Sequence, residues 1–160
     1  MIARLRAPDG CPWDREQTHL SLRRYLIEET YELLDALDNE DPQKTSEELG
    51  DLLLQVVLHA QIGVEEGEYS INDVLAGINR KLVRRHPHVF GDAKVSDSEG
   101  VVVAWEKIKA QERKAKSETN STVGLLSGIP AALPGLNQAQ EVQTRAARVG
   151  FDWDDITPVY

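Results

Sequence analysis

Four acidic side chains occur in two pairs, separated by a short turn-like sequence. Glu29 and Glu32 lie three residues apart in EETYE, and Glu48 and Asp51 have the same spacing in EELGD. Because residues three apart share one face of an α-helix, each pair would present two carboxylates on one side. Carboxylates gathered without Cys or His are the ligands that Mg²⁺ and Mn²⁺ prefer. The spacing therefore indicates a site for a hard divalent cation if the two pairs meet.

Two helices must position these pairs. Periodicity and breakers predict one helix from about Thr18 to Asp38 and another from about residue 45 or 46 to 66, joined by the NEDPQ turn. In helical projection Glu29 falls inside the apolar arc of the first helix, Glu32 falls at its border, and Glu28 projects from the polar side. The second helix is apolar all round, which is typical of a helix buried on every side. Antiparallel packing would bring the four carboxylates together.

Gathered carboxylates need a counter-charge. Like charges ~4 Å apart repel by about 4 kcal/mol at an effective dielectric of ~20. A cation would offset this repulsion. The alternative is that the acids simply lie on solvated helix faces, where charged side chains are common.

The remainder of the chain also reads as helical, so the predicted fold class is all-α. Further helices are expected over roughly 71–85, from 98 to about 116, and more weakly from about 134 to 149, with a Ser-, Thr- and Gly-rich stretch between the last two. We divide the chain into a helical domain at 1–116, a linker at 117–131, and a connector helix with a tail at 132–160.

Composition excludes several classes of function. The chain has 160 residues and a formal net charge of -9, which argues against binding a nucleic-acid polymer. Its single cysteine, Cys11, cannot form an internal disulfide, and the longest apolar run is too short and too often interrupted to span a membrane. We therefore expect a soluble cytoplasmic protein without a membrane partner.

Several motifs together resemble the MazG family of nucleoside triphosphate pyrophosphohydrolases. Besides the acidic motifs, CPWDREQTH, KLVRRHPHVFG and WEKIK follow in the family's order over about residues 5–115. The stretch IPAALPGLNQAQEVQTRAARVGFDWDD is similar to the connector after the first domain of two-domain members. The resemblance implies a MazG-like helical bundle that assembles as a homodimer or higher oligomer. The sequence would then be either a fragment whose second catalytic domain is missing, which we favour, or a protein that stops at the connector.

The resemblance implies an activity as well: Mg²⁺-dependent hydrolysis of a nucleoside triphosphate to a monophosphate and pyrophosphate, with Mn²⁺ as a possible substitute. The family's metal ligands fall on Glu29, Glu32, Glu48 and Asp51, and Glu28 is our hypothesis for orienting the attacking water. An alternative is a catalytically weak nucleotide-binding and dimerisation domain. A narrower alternative keeps the chemistry but accepts one pyrimidine.

Basic and aromatic residues are the candidates for substrate binding. Three cations of KLVRR share one helical face at i, i+3 and i+4, and such a face suits phosphate oxygens, although surface ion pairs would also explain it. The resemblance favours nucleotide contact for a tryptophan and a lysine of WEKIK. The predicted substrate-binding residues are Lys81, Arg84, Arg85, His86, Trp105 and Lys109.

A di-iron carboxylate bundle is the remaining competing class. It would need Glu-x-x-His on each of two helices, and the chain offers only Glu16 with His19. We interpret His59 and His88 as structural, and Trp13 as packing that shapes the pocket.

Overall fold

The computed structural model describes residues 1–117 and 124–153. Within these ranges every regular element is a helix, which confirms the all-α prediction. None of these helices is long and apolar enough to cross a membrane. The helices are α1 (Ile2–Leu5), α2 (Pro12–Glu16), α3 (Arg23–Asp38), α4 (Pro42–Glu65), α5 (Ile71–Arg85), α6 (Pro87–Phe90), α7 (Ser98–Ser117) and α8 (Gly135–Ala147).

The chain divides into two compact units, Met1–Gly91 and Asp92–Tyr160. The first contains α1 to α6, and the second contains α7 and α8. The bounds predicted above for a functional domain, a linker and a connector remain a proposal. Residues 118–123 of that linker and 154–160 of that tail lie outside the described residues.

The helices α3 and α4 form the centre of the first unit. They pack against each other and are joined by the short turn between Asp38 and Pro42, so they run antiparallel. Leu22, Leu58 and Ile62 form the buried core, and Ile2 and Tyr25 pack on it. The helices α1 and α5 also contact α4, which makes α4 the element to which the others attach.

Two predicted helix starts differ from the structure because local hydrogen bonds delay one helix and cap the other. Thr18 and Ser21 exchange side-chain-to-backbone hydrogen bonds of 2.9 and 3.1 Å, which hold a turn and delay α3 to Arg23. The helix α4 begins earlier than predicted because the Asp41 carboxylate accepts from the amides of Gln43 and Lys44, both at 3.0 Å.

The predicted third helix has the bounds found for α5. Ser70 and Asp73 form a reciprocal capping box at its start, and the next residue after its C-cap is a proline. The predicted fourth helix and connector helix are also present, as α7 and α8, with ends within two residues of those expected.

Arg6 ties the N-terminal segment to the end of α4. Its guanidinium donates to both oxygens of Glu65, with Nε 3.0 Å from each and Nη2 2.7 Å from Oε2. It also donates to the backbone carbonyls of Asp14 and Gln17. The Arg6 side chain is only 6% exposed, so these acceptors replace the water that its charge would otherwise need.

Two histidines form a second tie to α4. The Nδ1 atoms of His19 and His59 are 2.6 Å apart, and the ring planes differ by 8° with centroids 4.9 Å apart. The centroid distance is about equal to the sum of the Nδ1–Nδ1 distance and the radii of the two rings, so the two Nδ1 atoms lie on the line between the centroids. Because the ring planes are also nearly parallel, the rings meet edge to edge in nearly one plane. One Nδ1 must therefore donate and the other accept. On the far side of His19, Nε2 lies 3.6 Å from Glu66 and 3.5 Å from the Tyr69 hydroxyl.

The prediction that α4 is buried on every side is wrong for the single chain. Leu58 and Ile62 are buried, but Leu49, Leu53 and Val56 are 52%, 59% and 39% exposed. The reason is that α1, α3 and α5 cover only part of the circumference of α4. Among the residues that the structure describes, an apolar face of this helix remains exposed.

Candidate metal centre

Three carboxylates from α3 and α4 converge. Glu29 of α3 and Glu48 and Asp51 of α4 each offer one oxygen atom, and these atoms lie within 4.8 Å of one another. The arrangement follows from the local sequence, because Glu48 and Asp51 share a face of α4 and the short turn brings that face against α3. The structure thus brings together three of the four acids predicted as ligands.

Glu48 is the most deeply placed of the three, with 1% of its surface exposed. Its Oε1 atom forms an ion pair with Lys44 Nζ, 2.5 Å away. Its Oε2 atom is buried without a hydrogen-bond partner among the described residues. A buried carboxylate oxygen without a partner is costly. A cation bound beside it would remove that cost.

The carboxyl of Glu29 is affected by the negative charges of the neighbouring carboxylates. Burial raises the pKa of Glu29, and repulsion from Asp51, Glu32 and Glu48 raises it further. A raised pKa means that the folded protein disfavours the negative charge at this position. Either a proton or a bound cation would relieve the repulsion.

Glu32 and Glu28 occupy the rim of this cluster. Both are exposed on α3, with Glu32 one turn after Glu29 and Glu28 directly before it. Neither belongs to the three residues whose oxygen atoms converge, although the charge of each contributes to the raised pKa of Glu29. Their predicted roles as a fourth ligand and as a water-orienting group stay proposals.

The donor set fits a hard divalent cation. All the converging atoms are carboxylate oxygens, which suit Mg²⁺ or Mn²⁺ and do not favour zinc. The di-iron alternative required histidine beside the acids, but His19 instead contacts His59, Glu66 and Tyr69.

The predicted phosphate-binding cations lie together near the C-terminal end of α5, a helix that contacts α4. Lys81 and Arg84 are exposed and Arg85 is half-buried. His86 is the C-cap, and its Nδ1 lies 2.7 Å from the carbonyl of Leu82, which orients the ring. These residues belong to the same compact unit as the acidic cluster.

The other two predicted substrate contacts belong to the second unit. Trp105 and Lys109 lie on α7 and are both half-buried. Lys109 Nζ pairs with Glu106 at 2.9 Å, and Glu106 also accepts from Arg148, the C-cap of α8, at 3.2 Å. This network links α7 to α8, so the surroundings of Lys109 include an ion pair that the sequence prediction did not consider.

Lys44 is the residue at the centre that sequence reasoning missed. It precedes Glu48 by four residues, a spacing that places the two side chains on one helical face. The signal was therefore present in KTSEE. It was overlooked because α4 was predicted to begin after Lys44.

These features define an all-α protein with an all-oxygen candidate cation site across an antiparallel helix pair. Residues 17–90 match the family model described as the MazG nucleotide pyrophosphohydrolase domain. Through this domain, which contains all three converging acids, the chain belongs to the MazG family.

Longer proteins of several bacteria are similar to the chain. It is 49% identical over 160 residues to the nucleoside triphosphate pyrophosphohydrolase of Escherichia coli strain K12, covering 99% of the chain and 59% of that protein. It is 48% identical over 160 residues to the nucleoside triphosphate pyrophosphohydrolase/pyrophosphatase MazG of Thermotoga maritima, with 100% and 59% covered. It is 52% identical over 143 residues to the uncharacterized protein YabN of Bacillus subtilis, with 89% and 28% covered. The chain thus spans less than two thirds of the length of each of these relatives.

Proposed function

We propose that the chain hydrolyses nucleoside triphosphates to a nucleoside monophosphate and pyrophosphate with the help of Mg²⁺, for which Mn²⁺ can substitute. The observation that carries this proposal is the convergence of Glu29, Glu48 and Asp51, together with the buried Glu48 Oε2 atom, which has no hydrogen-bond partner among the described residues. The membership in the MazG family and the names of the relatives support the choice of substrate and reaction.

In this proposal Glu29, Glu48 and Asp51 hold the cation, and Glu32 joins them by a side-chain rotation from the rim. A bound divalent cation would polarise a phosphate oxygen and lower the pKa of a bound water. Glu28 is exposed beside Glu29 and would hold the attacking water by accepting a hydrogen bond. The buried position of Glu48 would keep its carboxylate in one orientation as substrate exchanges.

The substrate would be held by cations and an aromatic ring. Arginine forks and the lysine ammonium on α5 suit the triphosphate oxygens. The resemblance to the family separately favours nucleotide contact for Trp105 and Lys109 of α7. The proposed substrate-binding residues are Lys81, Arg84, Arg85, His86, Trp105 and Lys109.

A second candidate function is a nucleotide-binding and dimerisation domain with weak turnover. Its dimerisation is supported by the apolar side chains of Leu49, Leu53 and Val56 on α4, which are exposed among the described residues and which a second copy of the chain would cover. The homodimer is part of both candidates, since the same face is available in each.

Product identity tests the proposal. The protein is incubated with MgCl₂ and a panel of nucleoside triphosphates, and pyrophosphate and orthophosphate are measured separately. Glu48→Gln should abolish pyrophosphate release, whereas Glu68→Gln, which changes an exposed acid beyond α4, should not. Cation and nucleotide binding without cleavage would favour the second candidate, and cleavage to orthophosphate would refute the proposed reaction.

A further inference from the structure

A single lysine holds the most buried acid of the cluster. Lys44 Nζ lies 2.5 Å from Glu48 Oε1, and the side chains are 48% and 1% exposed respectively. The hydrogen bond to Glu48 is the main reason why the pKa of Lys44 is raised. The ammonium thus contacts Glu48 Oε1, while the neighbouring Oε2 atom has no hydrogen-bond partner among the described residues.

The charge of Lys44 acts against a divalent cation. Three carboxylates that converge carry three negative charges, and the ammonium reduces the local sum to two. A divalent cation at the convergent oxygens would meet a like charge a few ångströms away, and like charges at this range repel in a partly buried site. Because Lys44 occupies Oε1 of Glu48 while Oε2 has no partner among the described residues, the competition is one of charge repulsion and not one for the same oxygen atom.

Lys44 also has a second carboxylate within reach. Its Nζ is 3.4 Å from Glu47 Oε2, and Glu47 is 64% exposed on the outer side of α4. Because the lysine side chain is half-exposed and flexible, a small rotation would transfer its ammonium from Glu48 to Glu47 or to water. The helix therefore provides the lysine with an alternative position that costs little.

We propose that Lys44 is an internal competitor of the cation: it neutralises Glu48 while the site is empty and leaves for Glu47 when the cation binds. This inference rests on the proposed function, because it takes the three acids as cation ligands. It assigns Lys44 a regulatory role. In the absence of metal the lysine stabilises the folded arrangement of the three acids, and its charge sets the cation concentration at which the site fills.

Calorimetric titration of the full chain with MgCl₂ or MnCl₂, without nucleotide, tests the competition. Lys44→Gln should bind either cation about tenfold more tightly than the wild type, because one repelling charge is removed. Lys44→Arg keeps the charge and should stay within about twofold of the wild type. In EDTA the melting temperature of Lys44→Gln should fall, and saturating MgCl₂ should raise it by more than it raises that of the wild type.

A measurement on the unaltered protein covers the case in which Lys44→Gln does not fold. Acylation of lysines with a limiting amine-reactive reagent, followed residue by residue by mass spectrometry, reports how firmly each ammonium is held. MgCl₂ should raise the rate at Lys44 several-fold and leave exposed Lys94 of the second unit unchanged. If MgCl₂ leaves the acylation rate at Lys44 unchanged, the proposed displacement of Lys44 from Glu48 is wrong.

The outcomes separate the two proposals. If the wild type binds no divalent cation, the proposed function fails, and the role of Lys44 fails with it. If the wild type binds the cation but Lys44→Gln binds it equally or more weakly while keeping its helical circular dichroism spectrum, the competition alone is refuted. In that case Lys44 would be a group that positions Glu48 for the metal.

Discussion

Gly63 of α4 lies directly against the ring of Tyr69. A methyl group at position 63 would come within 2.8 Å of the Tyr69 Cζ atom and 2.9 Å of Cε2. The same tyrosine reaches the His59 carbonyl and His19 Nε2 through its hydroxyl, at 3.5 Å each. The absence of a side chain at Gly63 thus lets the turn after α4 fold back on the histidine pair.

We expect Gly63→Ala to lower the free energy of unfolding by about 1–3 kcal/mol, since the ring must shift within a packed site. Gly77→Ala is the matched control: it also lies within a helix, but its added methyl meets nothing within 4 Å. That variant should gain roughly 0.5–1 kcal/mol from helix propensity. Urea denaturation of both variants gives the comparison, and equal changes would contradict the close contact at Gly63.

The fork between Arg6 and Glu65 should matter more than a surface ion pair. Arg6→Lys loses the bidentate geometry and leaves two backbone carbonyls without their donor, so we expect a loss of about 1.5–3 kcal/mol. Arg4→Lys changes an exposed pair with Asp9 and should shift stability by less than ~0.5 kcal/mol. Urea denaturation measures the free energy of unfolding of both variants. A comparable loss in the two would show that Arg6 contributes no more than an exposed ion pair.

The same fork predicts a dependence on pH. The hydrogen bond from Arg6 lowers the pKa of Glu65 below its ordinary value. A lowered carboxyl pKa stabilises the folded protein above the unfolded value of about 4.3, and this contribution is lost as pH falls through the folded value. The stability difference between the wild type and Glu65→Gln should therefore be present at neutral pH and shrink in acid. A difference that stays constant down to low pH would count against the pairing.

Histidine protonation should destabilise the protein in mildly acidic buffer. Burial, and then the neighbouring His19, lower the pKa of His59. Because the unfolded chain takes up a proton near pH 6.5 and folded His59 does so only at lower pH, the free energy of unfolding should decrease as pH falls below about 6.5. His59→Phe should flatten this slope between pH 7 and 5, and an unchanged slope in that variant would contradict the role of His59. Thermal melting over this range provides the measurement.

The crowding of negative charge at Glu29 predicts a trade-off between the stability of the protein and its cation binding. Its raised pKa means that the charged form is disfavoured in the folded state, so a neutral side chain should be tolerated better than the carboxylate in metal-free buffer. We expect Glu29→Gln to melt higher than the wild type in EDTA at pH 7 and to lose most of the stabilisation by MgCl₂. Glu28→Gln, one residue earlier and exposed, should change neither quantity by much. A lower melting point for Glu29→Gln in EDTA would argue against the crowding.

The sequence predicted those features that depend on periodicity and on nearby breakers. The bounds of α5 were predictable because the sequence carries a capping serine at one end and a proline at the other. The inward position of Glu29 and the shared face of Glu48 and Asp51 followed from helical spacing alone. The start of α3 was not predictable in the same way, because the Thr18 and Ser21 hydrogen bonds become visible only when the turn is formed.

Other features depend on which groups meet in space. The all-round apolar sequence of α4 indicated complete burial, yet Leu53 and Val56 are exposed in the part of the chain that the structure describes. Similarly, nothing in the spacing of His19 and His59, forty residues apart, indicates that their rings meet edge to edge. Hydrophobic patterns report the preference of a surface for burial, but they do not report which partner covers it.

The helix α4 is held near both of its ends, by the Asp41 cap and the contact with α3 at the start, and by Arg6 and His19 near the finish. It has 24 residues and so extends about 36 Å. Local opening of such a helix requires the release of several distant attachments at once. Its central backbone amides should consequently be among the last in the first unit to exchange with deuterium, and the cation-binding end would lose its shape only when much of the unit unfolds.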